Sequence, residues 1–346
     1  MTLRITIALL AFASAVPASA KELNMLFIGN SFTARHDIAG LVEQILEEGD
    51  PTVDVQVQRV IYGGQNMFKH STYYFSQSFI ELSTLTDETI TQRIAAMREF
   101  LNSKTPPNLE EWNQHGSSLG KKNLPFTSIH KHITRSIKSH ETLLRSNPKT
   151  KWDYVVLQSW RDVSDQPNQC YERYASKLAK IAKGQGAQVI LYMTSPETQN
   201  ENPVTEPYNV ASVERDMAVA VRMARTLQPK AVIPVPLAIK NIQTGEGDQP
   251  GTELVFRYHN DGHPNQTCAF LVANLFYAAI TGKSPEGLQF NSVTENKLKK
   301  GKDPDGGEPT VVFDNPVKSY LQRMAFESIV EFNNACQNQG SEDQGK

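Results

Sequence analysis

The residues of this sequence that could do chemistry stand in four short polar blocks. The blocks read GNSFT (29–33), GGQNMFKH (63–70), WDYVVLQ (152–158) and NDGHPN (260–265). A serine hydroxyl is a weak nucleophile at neutral pH unless a histidine accepts its proton and a carboxylate orients that histidine. The blocks contain a serine, histidines and an aspartate, so they suit acyl transfer if the fold brings them together.

Three of the blocks follow or end segments that predict β-strands. Short apolar or alternating runs predict strands at 23–28, 53–60, 153–158, 188–193 and 231–235. Helical periodicity predicts helices at 38–46, 129–145, 171–183, 208–227, 266–281 and 317–334. This alternation predicts an α/β protein, a flavodoxin-like three-layer α/β/α sandwich with a central parallel sheet of about five strands. Such a sheet places its site at the carboxyl ends of the strands, where the polar blocks lie.

The four blocks in this order resemble those of the SGNH (GDSL-type) serine hydrolase superfamily. The resemblance spans roughly residues 25–285, and it includes a poorly characterised subgroup with a GNSFT opening and a DGxHP-type ending. In that subgroup the ending precedes an aromatic helix, which here reads FYAAITGKSP (276–285). In the family, the serine is the nucleophile, while a glycine block and an amide side chain help to form the oxyanion hole. A late Asp-x-x-His block supplies the acid and the base.

Carried to this sequence, the resemblance implies a role for each block. Ser31 would be the nucleophile and His263 the base, and the oxyanion donors would be the amides of Ser31 and Gly64 and the carboxamide of Gln158. Gln158 stands where most of the family has asparagine, but it still offers an NH2 donor. Gly63 and Asn66 are alternative donors.

The orienting acid departs from the family spacing. The position three residues before His263 holds Asn260, whereas Asp261 lies only two residues before it. We expect Asp261 to turn toward His263, with Asn260 as the alternative orienting group. An amide in place of the acid is costly in a serine triad, since it lowered kcat by about 10⁴ in one serine protease.

Each block also has a plain structural interpretation. Ser31 could cap a helix, the glycine pair could make a tight turn, and Gln158 could cap a strand end. His70, Trp160 and Phe32 are candidate pocket residues, and Trp160 could stack on a sugar ring, although core packing is the ordinary role of an aromatic side chain.

The composition excludes several classes of protein. The chain has 346 residues and a net charge of −2, which gives no electrostatic basis for binding nucleic acid. A signal peptide is predicted over 1–20 from Arg4, the apolar run ITIALLAFASAV and the small residues before Lys21. The protein is therefore expected to be secreted or periplasmic. No later segment is apolar enough to predict a membrane span.

The remainder is expected to form a single domain over 21–335, followed by a polar tail at 336–346. Residues 71–128 predict an insertion beside the sheet, a lid or a substrate wall. Among the three cysteines at most one disulfide is possible, and Cys170 with Cys268 is the suggested pair.

No cofactor and no metal are predicted. His259 and His263 have the i,i+4 spacing of zinc ligands on a helix, but Gly262 and Pro264 disfavour a helix there and no third ligand stands nearby.

The sequence thus predicts a secreted serine ester hydrolase that acts through an acyl-enzyme on Ser31. The expected substrate is a small acyl ester or an acetylated glycan, a preference that rests on family analogy and predicted export. A hydrolase and an acyltransferase share this intermediate and differ only in which acceptor reaches it. The alternative is a catalytically inactive protein of the same fold that binds a glycan or another protein, suggested by the shifted Asp261 and the long insertion.

Overall fold

The computed structural model describes residues 20–118, 120–121, 123–194, 209–245 and 254–342. The predicted signal peptide lies outside this part of the chain, apart from Ala20. The last four residues of the predicted tail also lie outside it.

A five-stranded parallel sheet forms the centre of the molecule, in the order β2-β1-β3-β4-β5. Its strands are β1 (Lys21–Gly29), β2 (Val53–Ile61), β3 (Tyr154–Gln158), β4 (Gln188–Met193) and β5 (Ala231–Pro234). This is the flavodoxin-like order, in which the chain reverses direction across the sheet between β1 and β3. A separate antiparallel pair, β6 (Ser292–Thr294) and β7 (Thr310–Val312), forms a small hairpin near the end of the chain.

Helices lie on both faces of the sheet. They are α1 (Ser31–Ala34), α2 (Ile38–Gly49), α3 (Met67–Thr72), α4 (Gln77–Ile80), α5 (Asp87–Asn102), α6 (Leu109–Ser118), α7 (His130–Ser146), α8 (Cys170–Gly184), α9 (Val210–Leu227), α10 (Val235–Gln243), α11 (Gln266–Thr281) and α12 (Asn315–Glu342). Short 3-10 turns cover Arg35–Asp37 and Phe126–Ile129. The predicted three-layer α/β/α sandwich is confirmed.

The strands divide the apolar side chains between two cores because successive residues of a strand point to opposite faces. In β1, Met25 and Phe27 pack with α2, α10, α11 and α12 on one face. Leu26 and Ile28 pack on the other face with α3, α5, α7 and α8. Helix α11 is buried almost all round, which explains why its sequence is apolar without a polar stripe.

The segment between β2 and β3 forms a helical layer that packs in the core containing Leu26 and Ile28. This layer contains a cluster of buried aromatic side chains, namely Trp112, Tyr73, Phe75 and Phe126. Helix α6 lies within the predicted insertion, in a stretch rich in Pro, Asn, Gly and Lys. Its apolar contacts come from Trp112 on a helix that is otherwise mostly polar, a pattern too weak to detect from periodicity.

Two further features differ from expectation. Helix α12 continues to Glu342, so much of the predicted tail is helical, since no proline ends the helix after Asn334. The suggested Cys170–Cys268 disulfide is absent, because both sulfurs are present as thiols and Cys268 is buried within α11. Within the described residues, no helix is long and apolar enough to cross a membrane.

Candidate active site

Ser31 begins helix α1 directly after the carboxyl end of β1. Asn30 caps this helix, with its Oδ1 accepting a hydrogen bond from the Phe32 amide at 3.0 Å. The turn is tight against the next strand, since a Cβ on Gly29 would lie 2.2 Å from Gln158 Oε1. Glycine is therefore required before the serine for close approach of the two strands. The structural role of capping belongs to Asn30, which leaves the Ser31 hydroxyl available.

His263 lies against this hydroxyl. Its Nε2 is 2.9 Å from Ser31 Oγ, and its Nδ1 is 3.2 Å from Asp261 Oδ1. The ring also packs against Phe32, with 5.4 Å between the ring centroids. The side chains of His263 and Asp261 are each about a quarter exposed (24%), so the group is open to small molecules. The arrangement is that of a nucleophile, a base and an orienting acid.

Of the two candidate acids, the structure brings Asp261 to His263. Asp261 Oδ1 also accepts a hydrogen bond from the His263 backbone amide at 3.0 Å, which closes the short turn between them. Asn260 is exposed, and its backbone amide donates to Asp305 Oδ1 at 2.8 Å. The turn compensates for the missing residue because the aspartate folds back onto the amide two positions ahead.

A buried ion pair lies behind the acid. Arg35 donates through Nη1 to Asp261 Oδ2 at 2.6 Å and through Nε to both carboxylate oxygens of Glu295 at 2.9 Å. Burial raises the pKa of Asp261, but hydrogen bonds from Arg35 and from the His263 amide outweigh this and hold it below its ordinary value. The pKa of Glu295 is lowered likewise, since its bonds with Arg35 outweigh the effect of burial.

The sequence interpretation missed Arg35 and Glu295. Arg35 lies in the charged run Arg35–Asp37, which is typical of an exposed turn, and Glu295 stands far along the chain after a three-residue strand. No spacing rule connects the two positions. A partial signal is that Arg35 follows Ser31 by one helical turn, on the segment that leaves the site.

Gln158, a predicted oxyanion donor, uses its carboxamide to hold the serine turn. Its Oε1 accepts from the Asn30 amide at 2.9 Å and from Thr33 Oγ1 at 2.6 Å. Its Nε2 donates to Asn30 Oδ1 at 3.0 Å and to the Ser159 carbonyl at 2.9 Å. Both amide hydrogens are therefore engaged in this conformation.

Asn66, the alternative donor, contacts the helical layer instead. Its Nδ2 lies 3.0 Å from His115 Nδ1 on α6. Burial lowers the pKa of His115 to about 3, which keeps the ring neutral and able to accept this hydrogen bond. The insertion thus reaches the loop that follows β2.

The backbone N–H groups of Ser31, Gly63, Gly64 and Asn66 have no acceptor among the described residues. Gly64 has a φ of +67°, in the left-handed region that favours glycine, whereas Gly63 does not. The side chain of Asn30 also donates to the Gln65 carbonyl at 3.0 Å, which ties the two loops together. These amides are suited to receive a developing negative charge.

Two buried ionisable side chains, Asp162 and Lys69, lie close to Asn66 in the loop between β2 and α3. Burial raises the pKa of Asp162 to about 6, although the Trp160 amide donates to its Oδ1 at 3.2 Å. Burial and the charge of Lys121 lower the pKa of Lys69 to about 8. Trp160 itself is half-buried, beside Asp162.

His70 lies beneath the serine turn and is fully buried. Its Nε2 donates to the Gly29 carbonyl at 3.0 Å, and its Nδ1 accepts from Ser76 Oγ at 2.5 Å. Burial lowers the pKa of His70 to about 3. The ring therefore supports the end of β1 as a neutral side chain and does not reach a pocket.

No group of three or more His, Cys, Asp or Glu side chains within the described residues could hold a metal ion. His263 has both ring nitrogens directed at Ser31 and Asp261, and His259 is exposed.

Comparisons with known proteins find a distant likeness among solved structures. No protein-family model matches this sequence, and no curated protein matches it. Among solved structures, the chain is similar to a protein from Slackia heliotrinireducens described as "a putative SGNH hydrolase". The two are 15% identical with a TM-score of 0.40, and the match covers 75% of this chain and 100% of that one.

Proposed function

We propose that this protein is a serine ester hydrolase that acts through an acyl-enzyme on Ser31. The observation that carries the proposal is the hydrogen-bonded series from Ser31 Oγ to His263 Nε2 at 2.9 Å and from His263 Nδ1 to Asp261 Oδ1 at 3.2 Å. Ser31 lies 232 residues before His263, so the contact between their side chains is not a consequence of local structure, whereas Asp261 and His263 belong to one short turn. A serine that only capped a helix would not need a histidine at its hydroxyl.

The reaction follows from this geometry. Ser31 Oγ attacks the ester carbonyl carbon while its proton passes to His263 Nε2, and Asp261 stabilises the imidazolium that forms. When the tetrahedral intermediate collapses, the ester C–O bond breaks and the leaving alcohol takes the proton from Nε2. Water then attacks the acyl-enzyme, gives a proton to His263, and releases the carboxylic acid with Ser31 restored.

The oxyanion would be received by the backbone amides of Ser31 and Gly64. Neither N–H has an acceptor among the described residues, and each such donor contributes roughly 2.7–4 kcal/mol to catalysis. Gln158 and Asn66 would act indirectly and would not contact the oxyanion, since their carboxamides are already hydrogen-bonded to Asn30 and His115.

The proposed substrates are small acyl esters, including O-acetylated carbohydrates, and the protein is proposed to be exported. The partly exposed Ser31 and His263 suit a small polar substrate, and the half-buried Trp160, two residues after Gln158, is proposed as a wall of the site. The predicted signal peptide suits an extracellular glycan. The alternative of an inactive binding protein was suggested by the shifted Asp261 and by the long insertion. The 3.2 Å distance from Asp261 Oδ1 to His263 Nδ1 weighs against its first premise.

Hydrolysis of p-nitrophenyl acetate by the purified protein tests the proposal, with Ser31→Ala alongside. We expect release of p-nitrophenolate by the wild type, and a rate for Ser31→Ala lower on the order of 10⁶-fold, limited by background. A fluorophosphonate should label Ser31 covalently, as seen by peptide mass. Equal rates for the two proteins on this ester and on acetylated xylan, with no labelling, would show that the protein is not a serine hydrolase.

A further inference from the structure

We propose that Arg35, anchored by Glu295, is a positioning residue that fixes Asp261 as the acid of the triad. The inference rests on the proposed function, because it assigns a role within the same site. It explains how an aspartate only two residues before the base can orient the base.

The two-residue spacing between Asp261 and His263 does not by itself fix the orientation of the Asp261 carboxylate. Asp261 Oδ1 serves two groups, the His263 backbone amide at 3.0 Å and the ring Nδ1 at 3.2 Å. The Asp261 carbonyl also lies 3.2 Å from Nδ1. A carboxylate in so short a turn can rotate about its last torsion and lose the ring while it keeps the backbone amide. A contact on the other oxygen is needed to prevent this rotation.

Arg35 supplies that contact. Its Nη1 is 2.6 Å from Asp261 Oδ2, the oxygen that faces away from the histidine. The side chain of Arg35 is 4% exposed and that of Glu295 is fully buried, so little water competes for these bonds. The planar guanidinium holds Glu295 with one edge and Asp261 with another, which sets the plane of both carboxylates.

The charge of Glu295 matters as much as its position. An arginine alone beside Asp261 would offset the negative charge that stabilises the imidazolium. The Arg35–Glu295 pair sums to zero, so Asp261 keeps its full effect on His263 while its geometry is fixed.

The backbone that follows Arg35 is held in an unfavourable conformation. His36 and Asp37 both have φ in the left-handed region, at 57° and 53°, which is unfavourable for residues other than glycine. This turn directs the His36 ring to the Pro264 carbonyl at 2.9 Å while Arg35 contacts Asp261. The segment that leaves Ser31 therefore holds the His263 loop on both sides of the histidine.

A double-mutant cycle tests the inference. Asp261→Ala should lower kcat on the order of 10⁴-fold. The double variant Arg35→Met/Glu295→Gln removes the guanidinium without leaving a buried unpaired carboxylate. We expect it to lower kcat roughly 5- to 100-fold with KM nearly unchanged. In the Asp261→Ala background the same pair of changes should have almost no further effect, because Arg35 acts through Asp261.

Two further variants serve as controls for the cycle. Arg35→Lys keeps a charged donor, so its kcat should lie between those of Arg35→Met/Glu295→Gln and the wild type. Arg59→Met is the matched control, since Arg59 pairs with Asp37 in the same turn at 2.6 Å but on the exposed surface. It should leave kcat unchanged. Multiplicative losses, in which Arg35→Met/Glu295→Gln costs the same factor with and without Asp261, would overturn the inference.

A second measurement does not depend on turnover. In proton NMR, the hydrogen-bonded His263 Nδ1–H should give a protected downfield resonance in the wild type and in Arg59→Met. Its loss in both Asp261→Ala and Arg35→Met/Glu295→Gln supports the inference, and its persistence in the latter contradicts it. Failure of the proposed function shows instead as a wild type without Ser31-dependent hydrolysis, whatever this resonance does.

Discussion

Gln158 and Asn30 exchange two hydrogen bonds across the carboxyl ends of β3 and β1. Gln158 Oε1 accepts from the Asn30 amide at 2.9 Å, and Gln158 Nε2 donates to Asn30 Oδ1 at 3.0 Å. The same Asn30 oxygen accepts the Phe32 amide at 3.0 Å, so the glutamine holds the residue that caps the serine helix. The amide after β3 thus positions the nucleophile.

Gln158→Leu tests this positioning role. The substitution leaves the Asn30 amide and the Thr33 hydroxyl without their buried acceptor, so we expect a loss of about 3 kcal/mol in the free energy of unfolding. kcat should fall together with stability. Urea unfolding and ester hydrolysis measure the two effects. Gln188→Leu, at the exposed start of β4, is the control and should change neither by much. A large fall in kcat with unchanged stability would indicate that Gln158 instead contacts the oxyanion directly.

Asp261 and Asn260 give opposite predictions for the acid. Asp261→Ala should lower kcat on the order of 10⁴-fold, because His263 loses the group that orients its ring. Asn260→Ala should leave kcat within about twofold, since Asn260 is exposed and contacts Asp305 only through its backbone. Steady-state kinetics of both variants on one ester decides between them. The reverse ranking would make Asn260 the orienting group.

The glycine pair after β2 offers a matched test of the oxyanion hole. Gly64→Ala places a side chain at a φ of +67°, which costs about 1 kcal/mol and displaces the amide from its position. We expect kcat to fall by up to about 10²-fold with KM little changed. Gly63→Ala meets no atom within 4 Å and has no such φ, so it should behave like the wild type. Similar kinetics for the two variants would remove Gly64 from the oxyanion hole.

The buried histidines predict loss of stability in acid. In the unfolded chain the pKa of His70 is near 6.5, but burial lowers it to about 3 in the native protein. Between these values only the unfolded state binds the proton, so the free energy of unfolding falls as pH decreases, by roughly 1.4 kcal/mol per pH unit for each such histidine. His115, with a pKa lowered to about 3, adds to the slope.

His70→Gln isolates one of these groups, because glutamine can still donate to the Gly29 carbonyl. The difference in unfolding free energy between about pH 7.5 and about pH 5 should shrink by roughly 2 kcal/mol relative to the wild type. Urea titrations at the two pH values measure it. Gln188→Leu, at the exposed start of β4, removes no titratable group and should leave the difference unchanged. An unaltered slope in His70→Gln would mean that His70 is not buried as a neutral ring.

Local patterns were sufficient for the layers of the fold. The strand β4 and the helix α11 have the predicted bounds, because their apolar residues, caps and flanking turns all lie within the segment itself. Helix α6 was missed since its stability comes from Trp112 packing in an aromatic cluster contributed by other segments. The hairpin of β6 and β7 was missed because strands of three residues have too few positions to show alternation.

For the site, the sequence by itself determined the set of candidate groups and the end of the sheet at which they meet. Blocks that follow parallel strands must lie at the carboxyl ends of those strands, and this follows from chain direction alone. Only the tertiary structure decided which partner each group takes: Asp261 with His263, Gln158 with Asn30, and Arg35 with Glu295. Hydrogen bonds depend on differences of less than an ångström and on side-chain torsions, and residues 260 positions apart acquire these only when the layers pack.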